Sequence, residues 1–441
     1  MVTAIIFGVL VLLMFLGVPI AASMALTTIL SFLVLGGPDL LLMVPQRMYS
    51  GTTSFTLLAI PFFILAGNLM NTGGITTRLI HFAQCLVGHI RGGLGHVTVV
   101  TNMIMAGMSG AAVADAVGTG NILIPSMEKA GYPRVFSAAL VGAAATIGPI
   151  IPPSIPFVIF GSMTGTSVGR LFLGGFLPGV LMGILLMITV AIISKKRGYP
   201  HGTRATGAEL LRATIHAAPA WGSPLIIIGG ILAGIFTPTE AAAVSAVYAF
   251  ICAVFIYRSL PLREVPKVLL HGANTSAMLL YIITNAILFN FLLTSEQIPQ
   301  ALAEWVTHMN LEPWQFLVIV NITLLLAGQF MEPSSIILIL APLFLPIAKT
   351  LGIDPIHLGV IMTVNMEIGM LTPPVGLNLY VASHLSHMGL TDVSKAALPF
   401  VGVMILYLIL VTYVPDISLW LVDLLYGATP VPVPGGGAVF D

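Results

Sequence analysis

Charge is scarce in this chain. Its 441 residues include 16 Lys and Arg and 16 Asp and Glu, 7% in all, and the two signs cancel. Soluble domains carry roughly a quarter charged residues, so an ordinary water-exposed globular surface is excluded. Balanced charge leaves no basic field for nucleic acid, and no nucleic-acid partner is expected. Cysteine is almost missing. Cys85 and Cys252 stand far apart in apolar surroundings, which excludes a disulfide framework or a cysteine metal cluster. No Gly-Lys-Ser/Thr phosphate loop occurs, which argues against direct ATP use. Neither a Gly-x-Ser-x-Gly elbow nor a His-Glu-x-x-His pair is found, so an intramembrane enzyme has little support. His384 and His387 have helical i, i+3 spacing but no third ligand nearby, and read as a solvated loop.

Long apolar runs are what the chain has. Hydrophobic residues make up 57% of it, interspersed with 45 Gly and 30 Pro. A membrane-crossing helix needs about 20 apolar residues, so these runs predict an all-α polytopic membrane protein embedded in a lipid bilayer. Residues 1–35 are too long and apolar for a cleaved leader and read as two spans, 3–16 and 20–35, joined at Gly17-Val18-Pro19. A loop over 36–54 follows, with Arg47 as its only cation, then a span over 55–71. An amphipathic piece over 75–91 is expected at the membrane interface. Further spans are expected at 171–194, 225–236, 240–257, 272–293 and 398–414, with a second amphipathic piece at 295–310. Residues 430–441 read as an unstructured tail.

Two runs are interrupted from within. Residues 145–154 read Ala-Thr-Ile-Gly-Pro-Ile-Ile-Pro-Pro-Ser, in the middle of the apolar run 136–161. Proline removes a backbone donor and clashes with the preceding turn, so Pro149, Pro152 and Pro153 should break a helix at mid-membrane depth. Lipid cannot satisfy the freed backbone groups, so such a break must be buried in protein or line a polar cavity. The signature returns at 367–376, Glu-Ile-Gly-Met-Leu-Thr-Pro-Pro-Val-Gly, inside the run 356–382. Ahead of each break lies an apolar stretch broken near its middle: 95–127, with its tip near Ser109, and 314–348, with Glu332-Pro333-Ser334-Ser335 at its tip. Each is expected to be a re-entrant hairpin of two half-helices.

A shift of 221 positions carries Gly107 onto Gly328, Pro125 onto Pro346, Gly131 onto Gly352, Gly148 onto Gly369, Pro152-Pro153 onto Pro373-Pro374 and Pro178 onto Pro399. Composition predicts about one such Gly or Pro match over that stretch. The matches also fall at hairpins and breaks. The chain therefore divides into 1–218 and 219–429, each with five crossings and one hairpin. An odd number of crossings turns the second half upside down, the inverted-repeat plan of secondary transporters. The densest cationic stretches, Lys195-Lys196-Arg197 to Arg212 and Arg258 to Lys267, belong in the cytoplasm. On that placement the first hairpin enters from the cytoplasm, the second from outside, and both termini lie outside.

Small residues at the tips and breaks let backbones approach and leave carbonyls free for a hard cation such as sodium. The hydroxyls of Ser109, Ser154, Ser334 and Thr372 sit beside them. Half-helix N-termini carry partial positive charge and can hold a carboxylate. Taken singly, such glycines and serines pack helices more often than they bind ligands. Four carboxylates, Asp115, Glu240, Glu332 and Glu367, lie near apolar segments, where ionisable groups are functional candidates. Glu240 follows Pro238 and reads as a helix cap. Cation coordination and a buried hydrogen bond account equally well for Asp115 and Glu367.

Read in order, the motifs resemble a known family. They are Ile60-Pro-Phe-Phe-Ile-Leu-Ala-Gly-Asn-Leu-Met70, Gly107-Met-Ser-Gly110, Ile124-Pro125, Gly131-Tyr132, Ile147-Gly-Pro-Ile-Ile-Pro-Pro-Ser154 and Pro238-Thr-Glu-Ala-Ala242. Gly352-Ile-Asp-Pro-Ile-His357, Asn365-Met-Glu-Ile-Gly369 and Thr372-Pro-Pro-Val-Gly-Leu-Asn378 complete them. Together they look like the large membrane subunit of the tripartite ATP-independent periplasmic (TRAP) transporters, over nearly the whole chain. The resemblance implies an ion-transporter fold in a prokaryotic inner membrane, with a scaffold and a mobile transport domain. It implies sodium-coupled uptake of an organic acid by an elevator motion. It also implies two partners, a small four-helix membrane subunit on a separate chain and a periplasmic substrate-binding protein. Carried onto this chain, the sodium-site regions are 107–110 with 148–154 and 328–335 with 369–376; with the carboxylates read above, the candidate sodium ligands are Gly107, Ser109, Asp115, Gly148, Pro149, Gly328, Glu332, Glu367, Gly369 and Thr372. The candidate substrate contacts are Ser109, Gly110, Pro153, Ser154, Ser334, Pro374 and Asn378. One departure is expected to matter. Many family members carry Gly-Ser-Ala in the first hairpin, where this chain has Ser109-Gly110-Ala111-Ala112, so one ligand would be missing or supplied by backbone. A stand-alone dicarboxylate symporter of the same fold is the close alternative, and a channel the alternative of another class.

Overall fold

A computed structural model describes residues 2–35, 38–309 and 311–427. The expected tail at 430–441 lies outside them. The described residues are helical over most of the expected spans, except that the span expected at 225–236 ends at Leu232, and they contain no strand.

The chain opens with α1 (Val2–Phe15) and α2 (Ile20–Leu35). Gly17, at φ +83°, turns the chain between them. The expected loop at 36–54 is instead partly helical. A 3-10 turn, Pro38–Leu42, leads into α3 (Met43–Thr52), which packs on a later helix and lays Arg47 over the Phe291 ring at 4.1 Å. Few apolar residues in α3 hid it from a hydropathy reading. Next come α4 (Ala59–Thr72) and α5 (Ile75–Val87). Helix α5 buries Ile75, Leu79, Ile80 and Ala83, one stripe at helical spacing.

The first hairpin is α6 (Gly93–Ser109) and α7 (Ala112–Lys129). The first broken helix is α8 (Arg134–Ala145) and α9 (Ile155–Thr164), interrupted over 146–154 where the prolines fall. Helix α10 (Val168–Arg197) is longer than expected, and its 30 residues end in Lys195, Lys196 and Arg197. Helix α11 (Gly207–Pro224) starts well before the expected span at 225. A Thr206–Glu209 capping box begins it, and a π-turn, Leu225–Gly229, carries it into α12 (Gly230–Leu232). Position 218 therefore lies inside a helix.

Then come α13 (Pro238–Ile251), α14 (Val265–Ser295) and α15 (Ile298–His308). At the start of α13, Thr237 N donates to Glu240 Oε2 at 2.8 Å and Glu240 N to Thr237 Oγ1 at 3.3 Å, which makes Glu240 a cap. The second hairpin is α16 (Pro313–Gly328) and α17 (Pro333–Thr350). The second broken helix is α18 (Pro355–Gly369) and α19 (Leu377–Ser386). The chain closes with α20 (Leu390–Tyr413) and a helix not expected from the sequence, α21 (Asp416–Tyr426), which packs along α10.

Seven helices among the described residues are long and apolar enough to cross a membrane. Ten crossings were expected. Six of the seven coincide with expected spans and the seventh, Pro333–Thr350, is a hairpin arm. The other expected crossings are α1 and α2, at 14 and 16 residues, and the two broken helices, whose halves are each too short alone.

Helix starts recur at the offset read from the sequence: Ala112 and Pro333, Arg134 and Pro355. Packing crosses between the halves. Hairpin arm α17 lies against α9, and half-helix α19 lies against α7 and α8. Both hairpins and both breaks thus form one inner body. Around it run α2, α4, α13 and α14, which pack on one another. Side chains such as Leu12, Phe15, Leu225, Ile235 and Leu406 face outward, as expected where the solvent is lipid.

Candidate functional site

Each hairpin tip meets its break by backbone. Gly110 sits between α6 and α7 at φ +64°, a region only glycine enters cheaply. A Cβ there would stand 2.7 Å from the Pro153 carbonyl oxygen. Ile155 N donates to Gly110 O at 3.5 Å. In the second half, a Cβ on Gly369 would lie 2.7 Å from the Gly328 Cα, and Gly376 N donates to Gln329 O at 3.1 Å. Both breaks carry a cis peptide, Pro152–Pro153 and Pro373–Pro374. They differ in exposure. Pro152 and Pro153 are buried, whereas Pro373, Pro374 and Val375 are exposed.

Four half-helix N-termini result, and they are not equivalent. Ser154 caps α9, its hydroxyl accepting from Phe157 N at 3.3 Å. Glu332 stands before α17, accepts from the Ser334 hydroxyl at 2.6 Å and interacts with the Ser334 and Ser335 amides. The N-caps of α7 and α19 are Ala111 and Gly376, with no side-chain cap. The first amides of α7 have no carbonyl of their own helix to bond.

A cavity of about 1050 Å³ opens beside α7. Ala112, Val113 and Ala114 of its first turn line the wall, together with Ser109, Gly110, Pro149, Glu332, Ser334 and Glu367. These last six were expected at the site. Ser109 is 5% exposed, and its buried hydroxyl, without a hydrogen bond of ordinary geometry, interacts with Asp115 on α7.

The remaining expected residues do not line it. Asp115 is fully buried just behind, its carboxylate oxygens without a hydrogen bond of ordinary geometry, interacting with Ser109 from the facing arm. It lodges against Gly148, where an added Cβ would lie 2.5 Å from its Oδ2. Gly107 packs on Pro224, 3.0 Å from an added Cβ. Gly328 and Gly369 pack on each other. Thr372 gives its hydroxyl to Ile368 O at 2.7 Å. Pro153 is buried under the first tip, Pro374 lies exposed, and Asn378 is buried with both side-chain polar atoms unpartnered. Glu367 lies within electrostatic reach of Glu332 and Asp115. Even so, no three acidic, His or Cys side chains among the described residues group closely enough to hold a metal by themselves. A cation here would need backbone carbonyls as well.

Sequence reasoning missed the opposite wall. Lys267, His271, Thr275 and Met278 of α14, spaced about one turn apart, line the cavity with Asn68, Asn71 and Thr72 of α4. The signal was the i, i+4 spacing of Lys267, His271 and Thr275, read there as part of a cytoplasmic cation cluster. Lys267 is the one Lys or Arg on the wall among the described residues. The start of α14 brings Glu264 and Lys267 to the cavity together, and Glu332 and Glu367 line it from the hairpin-and-break body.

Broken helices and hairpin tips around a mixed-charge cavity, in a polytopic helical body, define a membrane transport protein and not an enzyme. The fold matches the solved YdaH transporter of Alcanivorax borkumensis with a TM-score of 0.61, over 90% of this chain and 91% of that one, at 16% identity. At that identity the likeness is one of fold alone. Over residues 7–417 the chain matches the DctM component of the tripartite ATP-independent periplasmic transporters, and it belongs to that family. It is 48% identical to the C4-dicarboxylate TRAP transporter large permease protein DctM of Rhodobacter capsulatus, over 96% of this chain and 99% of that protein. It is 41% identical to the sialic acid TRAP transporter large permease protein SiaM of Vibrio cholerae, over 94% and 97%. The chain is thus a TRAP large permease subunit.

Proposed function

We propose that this chain carries a small organic acid into the cell, coupled to sodium and dependent on a periplasmic binding protein, by an elevator movement of the hairpin-and-break body. The single observation that carries the reading is the uncapped start of α7. Its first-turn residues, Ala112–Ala114, line the cavity next to Ser109. Amides at a helix N-terminus and a hydroxyl suit a carboxylate. The matching position on α17 is filled by Glu332, so the substrate carboxylate docks on the first hairpin. Lys267 supplies a positive charge along its path. Sodium would neutralise the acidic side, with Asp115, Ser109 and the carbonyls at Gly148 and Pro149 as its first candidates. The buried Asp115 carboxylate, interacting with Ser109 but without a hydrogen bond of ordinary geometry, supports that choice.

The relatives' names include a C4-dicarboxylate and a sialic acid, both organic acids. A cavity of about 1050 Å³ is large enough for either, so volume does not choose between them. The expected partners are a small four-helix membrane subunit and the periplasmic binding protein. With the Lys195–Arg197 end of α10 and the start of α14 in the cytoplasm, the chain sits in the inner membrane with both termini outside. The second half is then inverted relative to the first, and the cavity wall at Lys267 lies on the cytoplasmic side.

The test is uptake of labelled organic acids into liposomes holding this chain and its small subunit, with binding protein outside and a sodium gradient on or off. Uptake needing both sodium and binding protein is expected. Sodium-dependent uptake without binding protein would replace this reading with a stand-alone symporter. Unsaturable flux without sodium dependence would make the chain a channel.

A further inference from the structure

A second hollow, of about 190 Å³, lies on the outside of the helical body between α10, α12 and α21. Its wall is almost wholly apolar: Phe172 and Phe176 from α10, Ile231 from α12, Leu425 from α21. It also touches Pro152 of the first break and Gly169 at the start of α10. Those contacts give it length. Gly175 packs on the Ile150 carbonyl, so Phe176 stands level with the break, and Gly169 lies seven residues, about 10 Å, up the helix. Phe176 is 40% exposed and Leu425 50% exposed, so the hollow opens outward, where lipid lies. An α-helix with its side chains is about 10–12 Å across and does not fit a space of this size. A single hydrocarbon chain does.

The Gly169 end is polar. A Cβ on Gly169 would lie 3.8 Å from both the Ser167 hydroxyl and the Tyr426 hydroxyl. The Arg170 guanidinium stands 5.3 Å from the centre of the Tyr426 ring. The one ion pair among the described residues is Arg134–Glu128, so no described carboxylate makes an ion pair with Arg170. A guanidinium with two hydroxyls matches a phosphate in charge and hydrogen bonding. Arg170 begins a 30-residue helix whose other end holds Lys195, Lys196 and Arg197. It therefore sits at headgroup depth, opposite the cytoplasmic side.

We propose that this groove is a binding site for one phospholipid, with an acyl chain along Phe172, Phe176 and Leu425 toward Pro152 and the phosphate held by Arg170, Ser167 and Tyr426. The acyl end then touches the first break, and one bound lipid joins the moving body to α10 and α12.

The test is native mass spectrometry of the full chain, stripped in detergent and re-equilibrated with phosphatidylglycerol, phosphatidylethanolamine or phosphatidylcholine vesicles. One phospholipid per chain should survive ejection of the detergent. Arg170→Gln should lower its occupancy about tenfold, and Arg204→Gln should not. Leu425→Trp, which fills the groove from its exposed side, should lower occupancy with Arg170 intact. Greater loss for phosphatidylglycerol on Arg170→Gln would make the headgroup anion part of the site; equal loss would make the phosphate alone sufficient. Melting temperatures within a few degrees of the parent keep the comparison valid, and Arg170→Gln suffices if Leu425→Trp does not fold. Unchanged occupancy in Arg170→Gln would overturn the site. So would a photo-crosslinker at position 176 that captures the small subunit in place of lipid.

Discussion

Gly110→Ala and Gly131→Ala make a matched pair that isolates what the first hairpin tip contributes. Both glycines have positive φ, +64° and +91°. Alanine pays for that conformation at either place, about 1 kcal/mol. The surroundings differ. Nothing lies within 4 Å of a Cβ on Gly131, while on Gly110 it would stand 2.7 Å from the Pro153 carbonyl oxygen. Both partners there are backbone, so no side chain can swing aside. Overpacking of that kind adds roughly 1–3 kcal/mol. More importantly, it pushes the tip off the break beside Ser109 and the start of α7. Displacement by about 1 Å of a group that positions substrate can cost on the order of a hundredfold. Gly131→Ala should therefore melt slightly earlier and keep uptake within about twofold, since its cost is backbone conformation alone. Gly110→Ala should lose uptake at least tenfold even where enough folded protein inserts, a loss set by the displaced tip. Thermal melts and initial uptake rates on the same preparations check both. Equal uptake in the two variants would refute the argument that the tip-to-break contact sets the site.

Asp115→Asn keeps the shape that fits Gly148 but removes the charge. It should raise the sodium concentration for half-maximal uptake about tenfold with little change in substrate KM, and identical sodium curves would take Asp115 out of the ion site. Lys267→Gln should weaken substrate binding from the cytoplasmic side about tenfold in exchange assays, while binding-protein-driven uptake from outside changes less. Glu332→Ala removes the group facing the start of α17 and the acceptor of the Ser334 hydroxyl. It should cost about 1 kcal/mol of stability, read by melting. Glu240→Ala should cost a similar amount through loss of the Thr237 box and leave KM unchanged; a shifted KM would give Glu240 a role in transport.

The hairpins and breaks were legible because their cause is local. Proline and glycine disrupt a helix wherever they stand, and lipid forbids such disruption unless protein covers it. That logic placed Ser109 at the tip and Pro149–Pro153 in the break, where the helices in fact end. Helices with little local signature were missed. Helix α3 has few apolar residues, α21 is short, and the polar first turns of α11 were read as a loop. Side-chain roles were harder still. Ser154 and Thr372 were marked as ligands by their hydroxyls, but one caps α9 and the other bonds Ile368 O. Lys267 and His271 became wall residues only through the packing of α14 on α4, a contact nearly 200 residues apart in sequence.

The offset that superposes helix starts does not superpose charge. Asp115 falls on Ile336, Glu332 on Ala111 and Glu367 on Thr146. Gly328, Gly369 and Pro153 at the contacts are written twice, as Gly107, Gly148 and Pro374, although the tip glycine Gly110 falls on Met331, whereas each of these acidic groups is written once. The two halves therefore cannot exchange roles, as two copies of one machine part could. A variant that transplants Asp115 chemistry into the second half would meet a wall of isoleucine, and a variant that deletes it has no spare. Pseudo-symmetry in this molecule is a property of its skeleton, and its acidic side chains are what break it.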